Sequence, residues 1–199
     1  MADTKLKPTP AFLDHLVERE DSIPYVYKDT LGKPTAGIGH LITNEYNLSN
    51  VEWKKIEGYN VPIAHKDGNP ISVGNDQIRE WFAQDSEGSF SSAIAQAEEA
   101  GIHDMKFIEA LASVNFQLGP GWNKGKRFPK AWEAIKKGDF IQAVKEINQS
   151  DQKGGWKRNT PTRAEDFINA LDAYGRKVKP QDYAIQEWNR EDDPFGFYA

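Results

Sequence analysis

The sequence predicts an α+β fold: a small N-terminal lobe that contains a β-hairpin, a long connecting helix and an all-helical C-terminal lobe. Residues 25–29 carry the aromatic and β-branched side chains of a strand, a Leu-Gly-Lys turn follows, and residues 35–40 form the return strand. Residues 75–100 repeat apolar side chains at helical spacing up to a terminating glycine. The periodic segments after that glycine are predicted to be helical.

The first helix is predicted to begin at Pro10, with Thr9 as its N-cap. Glu20 follows Leu16 by four residues, so it should leave the last turn on the side that faces the protein. Pro24 prevents the helix from continuing. The predicted helix therefore brings a carboxylate to the start of the hairpin.

The middle of the N-terminal half is harder to interpret. Residues 44–74 are ambiguous between helix and strand, because proline and glycine interrupt them repeatedly. Helices after the long one are predicted over residues 104–118, 129–137, 139–150 and 160–175. We divide the chain into a domain over residues 1–175 and an acidic, aromatic extension over residues 176–199.

Composition narrows the classes of function. The 199 residues are 38% hydrophobic and 12% aromatic, as in a globular protein. The absence of cysteine excludes disulfides and thiolate chemistry. The formal net charge is −5, yet lysine and arginine outnumber the acids over residues 120–163. That segment suits an anionic polymer or is a solvated helical face, and the acidic balance of the whole chain argues against a nucleic-acid partner.

The sequence also bears on localisation. The first residues lack the apolar core of a signal peptide, and no run approaches the roughly 20 apolar residues of a membrane span. We therefore expect a protein made in the cytoplasm without insertion into a membrane. Action outside the cytoplasm would need a separate route of export.

The sequence contains no motif for a cofactor or a metal. The run Gly37-Ile38-Gly39 fails as a dinucleotide fingerprint, because Ile42 stands where the third glycine belongs. Phosphate loops, nucleophile elbows and paired zinc-binding histidines are absent from the sequence. The four histidines are scattered and are interpreted as structural or surface residues. We expect neither a cofactor nor a metal.

Glu20, Asp29 and Thr35 are spaced so that a hairpin can bring two carboxylates and a hydroxyl together. Two carboxylates flanking one bond are the usual equipment for cleaving a glycosidic linkage. Each residue also has a plainer interpretation. These are a solvated glutamate at a helix end, an aspartate that caps the turn, and an ordinary strand threonine.

The hairpin closely resembles that of phage-type lysozymes, glycoside hydrolase family 24, and two later blocks agree in order and spacing. The runs that carry the resemblance are Tyr27-Lys28-Asp29-Thr30, Gly37-Ile38-Gly39-His40, Asn115-Phe116-Gln117-Leu118-Gly119 and Trp156-Lys157-Arg158-Asn159-Thr160-Pro161-Thr162-Arg163-Ala164. The similarity covers about residues 10–175.

The resemblance implies a lysozyme-like fold of two lobes with a sugar polymer bound between them. It implies hydrolysis of the β-1,4 bond between N-acetylmuramic acid and N-acetylglucosamine in peptidoglycan, without a cofactor or metal. The expected partner is the peptidoglycan glycan strand, met by a monomer that a holin or a delivery apparatus brings to the wall. A phage or prophage endolysin is the first hypothesis. A wall-binding module of a virion or secretion apparatus and a lysozyme-like toxin are the alternatives.

The resemblance also implies catalytic roles. Glu20 would be the general acid, Asp29 would activate water on the opposite face of the sugar or attack as a nucleophile, and Thr35 would help to hold the water. Carboxyl separations of about 6.5–9.5 Å favour inversion and about 5–5.5 Å favour retention, and the resemblance implies inversion. Asp21 stands where the family usually has glycine and adds a like charge beside the acid.

Further residues are expected to support the site or to contact the sugar. His40 should hold the hairpin by hydrogen bonding. Arg163 stands in the first turn of a helix, where a cation opposes the macrodipole, so it either pairs with Glu20 across the lobes or is an exposed arginine. The expected substrate contacts are Gln117, Asn159, Leu41 and Phe128. Three tryptophans are interpreted as packing residues: Trp122, Trp132 and Trp156.

Overall fold

The computed structural model describes residues 6–125, 127–149 and 156–184. The helices are α1 Pro10–Arg19, α2 Asn75–Glu99, α3 Met105–Leu118, α4 Pro129–Lys136, α5 Phe140–Gln149, α6 Trp156–Asn159 and α7 Pro161–Val178. The strands are β1 Ser22–Lys28, β2 Pro34–Ile38, β3 His40–Leu41, β4 Glu52–Lys54, β5 Ile63–Lys66 and β6 Asn69–Pro70. The predicted α+β class is confirmed.

The chain forms two compact units, Met1–Gly88 and Ser89–Ala199, and the boundary between them falls within α2. The first unit holds the whole sheet, and the second is built from helices. Among the described helices, none has both the length and the apolar character that crossing a bilayer requires.

The start of α1 follows the sequence prediction. The Thr9 hydroxyl oxygen accepts a hydrogen bond of 3.2 Å from the backbone N–H of Phe12, and Pro10 occupies the first turn. At the other end Glu20 is the C-cap, with extended backbone angles and its N–H donated to the carbonyl of Leu16. The chain therefore changes from helix to strand at Glu20 itself.

β1 begins earlier than predicted, because Pro24 is accommodated inside the strand. The pairing of β1 with β2 is irregular between Ile23 and Tyr27, as in a β-bulge. Proline lacks a backbone donor and is tolerated at such an irregularity. The Pro24 carbonyl is still satisfied, since it accepts a 2.9 Å hydrogen bond from the N–H of Val73.

The sheet contains six strands, with β3-β2-β1-β5-β4 in order and β6 paired to β5. One residue from each strand of the ordered path lies in a single row across the sheet. The row runs through Leu41, Thr35, Tyr27, Ile63 and Lys54, each opposite the next in an antiparallel pair. Residues directly opposite each other point to the same face. We call this set the central row.

The face opposite the central row forms the core of the first unit. It packs on α2 through a cluster of buried side chains, which are Val26, Ala36, Ile42, Ala64, Val73, Ile78 and Trp81. Three strand residues of this cluster each lie one position from the central row: Val26 beside Tyr27, Ala36 beside Thr35 and Ala64 beside Ile63. Their side chains therefore point to the opposite face, as the alternation along a strand requires. A second cluster of Ile23, Tyr27 and Ile63 belongs to the face of the central row.

The predicted return strand over residues 35–40 is wrong only in its last two residues. β2 ends at Ile38, and the chain turns at Gly39 so that β3 pairs back onto β2. Gly37 and Gly39 both have positive φ, of 61° and 73°. Gly37 is also packed so closely that an added Cβ would lie 2.9 Å from Cγ2 of Ile78. The glycine pair thus serves the turn and its contact with α2.

The ambiguous residues 44–74 form β4, β5 and β6. The predicted long helix is confirmed, and its C-terminal end is followed by Gly101 with φ of 68°. α3, α4 and α5 match the predicted helices to within two residues at each end. α6 was not predicted, because its four residues are too few to show a periodicity.

The second unit is centred on aromatic and aliphatic side chains. Trp122, Phe90, Phe107 and Phe167 are among its fully buried residues, and Trp132 and Trp156 are buried too, which confirms the packing role predicted for the three tryptophans. Asn115 lies within this core, 2% exposed. Its amide donates to the carbonyl of Ser89 and to Gln96, and its oxygen accepts from the Trp122 indole N–H at 2.9 Å.

α7 extends past its predicted end near Gly175 to Val178, and residues 180–184 are helical again. The ring of Tyr183 occupies the space that a Cβ at Gly175 would need, and the Arg176 guanidinium lies 4.9 Å from that ring. Glycine at this helical position therefore makes room for the following segment. The predicted division at residues 175 and 176 stays a prediction, and Trp188, Phe195, Phe197 and Tyr198 of the extension lie outside the described residues.

The substitution Gly37→Ala should reduce the free energy of unfolding by about 2–4 kcal/mol. Part of the loss is the left-handed backbone, and part is the close contact with Ile78. Gly32→Ala is the matched control, since Gly32 has φ of 76° with open space around its missing Cβ, and it should lose about 1–2 kcal/mol. Urea unfolding measures both, and equal losses would contradict the packing argument.

Candidate active site

Glu20 lies at the junction of α1 and β1 and is half-buried. Its backbone has φ of −117° and ψ of 128°, so its side chain leaves the helix where the chain enters the sheet. The exposed Asp21 follows immediately. The prediction that Glu20 leaves the last turn of the helix agrees with this position.

Asp29 closes the hairpin turn with its own carboxylate. Its Oδ1 accepts hydrogen bonds from the backbone N–H groups of Leu31 at 2.8 Å and Lys33 at 2.7 Å. The Asp29 N–H donates to the Lys33 carbonyl, and the Gly32 N–H donates to the Asp29 carbonyl. The turn-capping interpretation of Asp29 is therefore confirmed. Within the described residues Oδ2 receives no hydrogen bond, so this oxygen remains available for chemistry.

Thr35 belongs to the central row and is 5% exposed. Its hydroxyl donates a hydrogen bond to the Lys33 carbonyl at 3.2 Å. The hydrogen is thereby committed to the backbone, and the lone pairs of the oxygen are left to accept a hydrogen bond. The N–H of the same Lys33 donates to Oδ1 of Asp29, so both side chains are fixed by one residue of the turn.

Tyr27 is the member of the site that sequence reasoning did not identify. It lies at the centre of the central row, opposite Thr35, and is 9% exposed. Burial raises the pKa of Tyr27 to about 12, and the negative charges of Glu20, Asp29 and Asp21 add to the shift. The three carboxylates thus all act on the pKa of this one phenol. The alternation of side chains could have indicated Tyr27, since it precedes Asp29 by two residues in the strand predicted over residues 25–29.

His40 fixes β3 to α2, as its predicted role in holding the hairpin requires. Its Nδ1 lies 2.8 Å from Oδ2 of Asp85, and its ring stacks on Trp81 with a centroid distance of 4.2 Å. Its Nε2 lies 3.5 Å from Oε1 of Glu45. The pKa of Glu45 is lowered to about 2, chiefly by the hydrogen bond that its carboxylate accepts from its own backbone N–H. Hydrogen bonds from the N–H groups of Thr43 and Asn44 and from His40 lower it further.

The predicted substrate contacts fall in both units. Leu41 is in the first unit, at one end of the central row, and is 47% exposed. In the second unit, Gln117 accepts a 2.6 Å hydrogen bond from the Trp156 indole N–H, Asn159 is exposed at the end of α6, and Phe128 is 8% exposed. Phe128 packs in the aromatic core with its centroid 5.8 Å from that of Trp156. Contact of these four residues with sugar stays a prediction.

Arg163 is 6% exposed, so the alternative of an exposed arginine is wrong. Its Nη1 lies 3.3 Å from the Ser113 carbonyl oxygen and 3.5 Å from the Ser113 hydroxyl. Arg163 belongs to the second unit and Glu20 to the first, and their predicted pairing stays a prediction.

The first unit thus brings together Glu20, Asp29, Thr35 and Tyr27, while Gln117, Asn159, Phe128 and Arg163 lie in the second. Over residues 6–125, 127–149 and 156–184, no three His, Asp or Glu side chains form a group that could hold a metal ion. The site is defined by carboxylates, a phenol and a hydroxyl, which are groups suited to proton transfer.

Comparison with known proteins gives three relatives, while no protein-family model matches the chain. The chain is 30% identical to the peptidoglycan hydrolase gp36 of Pseudomonas phage phiKMV over 124 residues, which are 60% of this chain and 13% of gp36. It is 27% identical over 150 residues to probable T4-type lysozyme 1 of Dictyostelium discoideum, and 28% identical over 153 residues to probable T4-type lysozyme 2. The Dictyostelium matches each cover 74% of this chain and 85% of the relative.

The names of these relatives confirm the predicted resemblance to phage-type lysozymes and agree with the predicted class of enzyme. The chain spans only about an eighth of gp36, so in that phage protein a similar segment is one part of a much longer polypeptide.

Substitution of Asp29 should separate its role in the turn from any role in chemistry. Asp29→Ala removes the acceptor of two backbone hydrogen bonds and should lower the free energy of unfolding by about 1–3 kcal/mol. Asp29→Asn keeps a carbonyl oxygen in the place of Oδ1 and should lose less than about 1 kcal/mol. Thermal unfolding measures both variants, and equal destabilisation would contradict the turn-closing role of Oδ1.

Tyr27→Phe should flatten the fall of stability at alkaline pH. The unfolded chain releases the phenol proton near pH 10, whereas the folded state holds it to about 12. Its contribution is therefore fully present below pH 10 and is lost as the pH rises to 12, by at most about 2–3 kcal/mol. Burial also raises the pKa of Tyr183 to about 12, but Tyr183 is present in both the variant and the unchanged chain, so its effect cancels in the comparison. The free energy of unfolding of Tyr27→Phe and of the unchanged chain is measured with denaturant between pH 9 and 12. Equal slopes of this free energy against pH would contradict the assignment.

Proposed function

We propose that this chain is a muramidase that hydrolyses the β-1,4 bond between N-acetylmuramic acid and N-acetylglucosamine in peptidoglycan. The observation that carries the proposal is the arrangement at the hairpin turn, where Lys33 bonds to both Asp29 and Thr35 and leaves Oδ2 of Asp29 and the Thr35 hydroxyl oxygen able to accept. Glu20 and Asp29 also both raise the pKa of Tyr27, the residue opposite Thr35. The similarity to a peptidoglycan hydrolase and to T4-type lysozymes supports the same substrate.

In the proposed reaction Glu20 gives its proton to the glycosidic oxygen as the bond from that oxygen to the anomeric carbon breaks. A water molecule donates one hydrogen to Oδ2 of Asp29 and the other to the hydroxyl oxygen of Thr35. Its lone pair then attacks the anomeric carbon, and Asp29 accepts the proton that the water loses. The leaving sugar gains a hydroxyl group from the proton of Glu20, and the anomeric carbon gains one from the water. Glu20 ends as a carboxylate and Asp29 as a carboxylic acid.

Attack by water from the face opposite the leaving group inverts the anomeric configuration. Oδ1 of Asp29 is held by the turn, which directs the free Oδ2 and limits its reach. This supports activation of water by Asp29 rather than its attack on the sugar. The anomer of the first product formed, followed by NMR, distinguishes the two courses.

The remaining roles extend the same proposal. Arg163 would pair with Glu20, and Leu41, Gln117, Asn159 and Phe128 would contact the glycan strand. The enzyme would act as a monomer on the cell wall, in the periplasm or outside the cell, after release by a holin or a delivery apparatus.

A second candidate is a wall-binding module that keeps the lysozyme fold without hydrolysis. The turn-closing hydrogen bonds of Asp29 favour it, because a domain without catalytic activity would also need that carboxylate to fold. Mass analysis of digested peptidoglycan decides between them. A muramidase leaves N-acetylmuramic acid at the new reducing end, a transglycosylase leaves an anhydro end, and a binding module leaves the polymer intact.

The substitution Glu20→Gln should lower the release of reducing ends from peptidoglycan by roughly 10²–10⁴-fold, the usual contribution of a general acid. The amide keeps the shape of the side chain at the C-cap, so the stability of the fold should change little. Asp29→Asn should lose activity to a similar extent while it retains the turn.

The stability of both variants is measured alongside activity. A folded Glu20→Gln protein that clears a cell-wall suspension at the rate of the unchanged chain would refute the proposed mechanism.

A further inference from the structure

The face of the central row continues beyond Tyr27 into a cluster that the proposed reaction does not use. Buried Ile23, Tyr27 and Ile63 are packed there against a set of partly buried apolar side chains, which are Tyr25, Ile56, Tyr59 and Val61. Three of the four come from the connection between β4 and β5, which folds back onto this face. The cluster therefore borders the candidate active site through Tyr27 itself.

Two tyrosines are among the partly buried members of this cluster. The rings of Tyr25 and Tyr59 meet edge to face, with centroids 5.5 Å apart and planes at 89°. Both side chains are half-buried, and the Tyr59 N–H donates to the Ile56 carbonyl at 3.3 Å, which holds the connection in a turn. We call Tyr25 and Tyr59 the aromatic wall.

We propose that the aromatic wall binds a pyranose ring of the peptidoglycan glycan strand, next to the bond that is cleaved. The inference rests on the proposed function, since it places the wall along the same substrate. A pyranose ring has an apolar face of axial C–H groups and a rim of hydroxyl and acetamido groups. A half-buried tyrosine matches both, with an apolar ring and a polar hydroxyl.

The position of the wall follows from the sheet. β5 is the neighbour of β1, and adjacent strands lie about 4.8 Å apart, so the connection that leads into β5 borders the Tyr27 side of the site. Asn60, exposed next to Tyr59, offers an amide to hydroxyl or acetamido groups. The glycan would thus run across the strands, from Leu41 at one edge past Thr35 towards the wall.

The substitution Tyr59→Leu tests the wall, because leucine keeps apolar packing against Ile56 and Val61 but removes the ring. Binding is measured on the Glu20→Gln background by calorimetry with soluble, uncross-linked peptidoglycan strands. Tyr59→Leu should weaken binding by about 3–10-fold, the scale of one aromatic contact. Tyr59→Phe keeps the ring and should stay within about twofold.

Tyr46→Leu is the matched control, since Tyr46 is also half-buried and meets Trp81 edge to face at 6.4 Å, but on the face that packs on α2. Binding by Tyr59→Leu equal to that of Tyr46→Leu would overturn the inference. With Glu20 restored, Tyr59→Leu should raise KM and leave kcat within about twofold, as for uniform binding.

The two proposals fail separately in this design. If the unchanged chain releases no reducing ends but Tyr59→Leu still weakens strand binding, the muramidase proposal is refuted and the wall is supported. If hydrolysis is present and the binding contrast is absent, the wall is refuted alone. Thermal unfolding of Tyr59→Leu verifies that the variant is folded before either comparison is made.

Discussion

The register of the sheet is the constraint on which the candidate site depends. Tyr27 lies opposite Thr35 on one neighbouring strand and Ile63 on the other, so the three side chains share a face. A slip of β1 by one residue would turn Tyr27 towards α2 and away from the other two. The register is held at two places. Asp29 closes the turn between β1 and β2, and His40 bonds β3 to α2. The contacts that hold the register in this unit therefore also place the residues of the site.

Signals that act over a few residues made much of the fold predictable. Thr9 and Pro10 mark the start of α1, and Asp104 caps α3 by accepting from the N–H of Phe107, because capping needs only neighbours in sequence. The positions of Glu20 and Asp29 at a helix end and a turn could be predicted for the same reason. The sequence left turn closure and catalysis as alternatives for Asp29. The structure shows that its two oxygens differ, since only Oδ1 is used by the turn.

Contacts between distant residues account for what could not be predicted. Tyr27 pairs with Ile63 of β5, and β5 lies within residues 44–74, where prolines and glycines hide any periodicity. The burial of Arg163 beside Ser113 likewise depends on how α3 and α7 pack, which a cation in a first helical turn does not reveal. In the sequence, Gly37 is only part of a rejected cofactor motif. The structure gives the reason for a glycine there, since a Cβ at this position would collide with Ile78.

The stacking of His40 on Trp81 has a spectroscopic consequence. The two ring centroids lie 4.2 Å apart with an interplanar angle of 12°, so the surroundings of the indole change if His40 leaves it. Loosening of β3 from α2 would therefore alter the emission of Trp81. The chain has six tryptophans, so the signal of Trp81 is the part of the emission that Trp81→Phe removes.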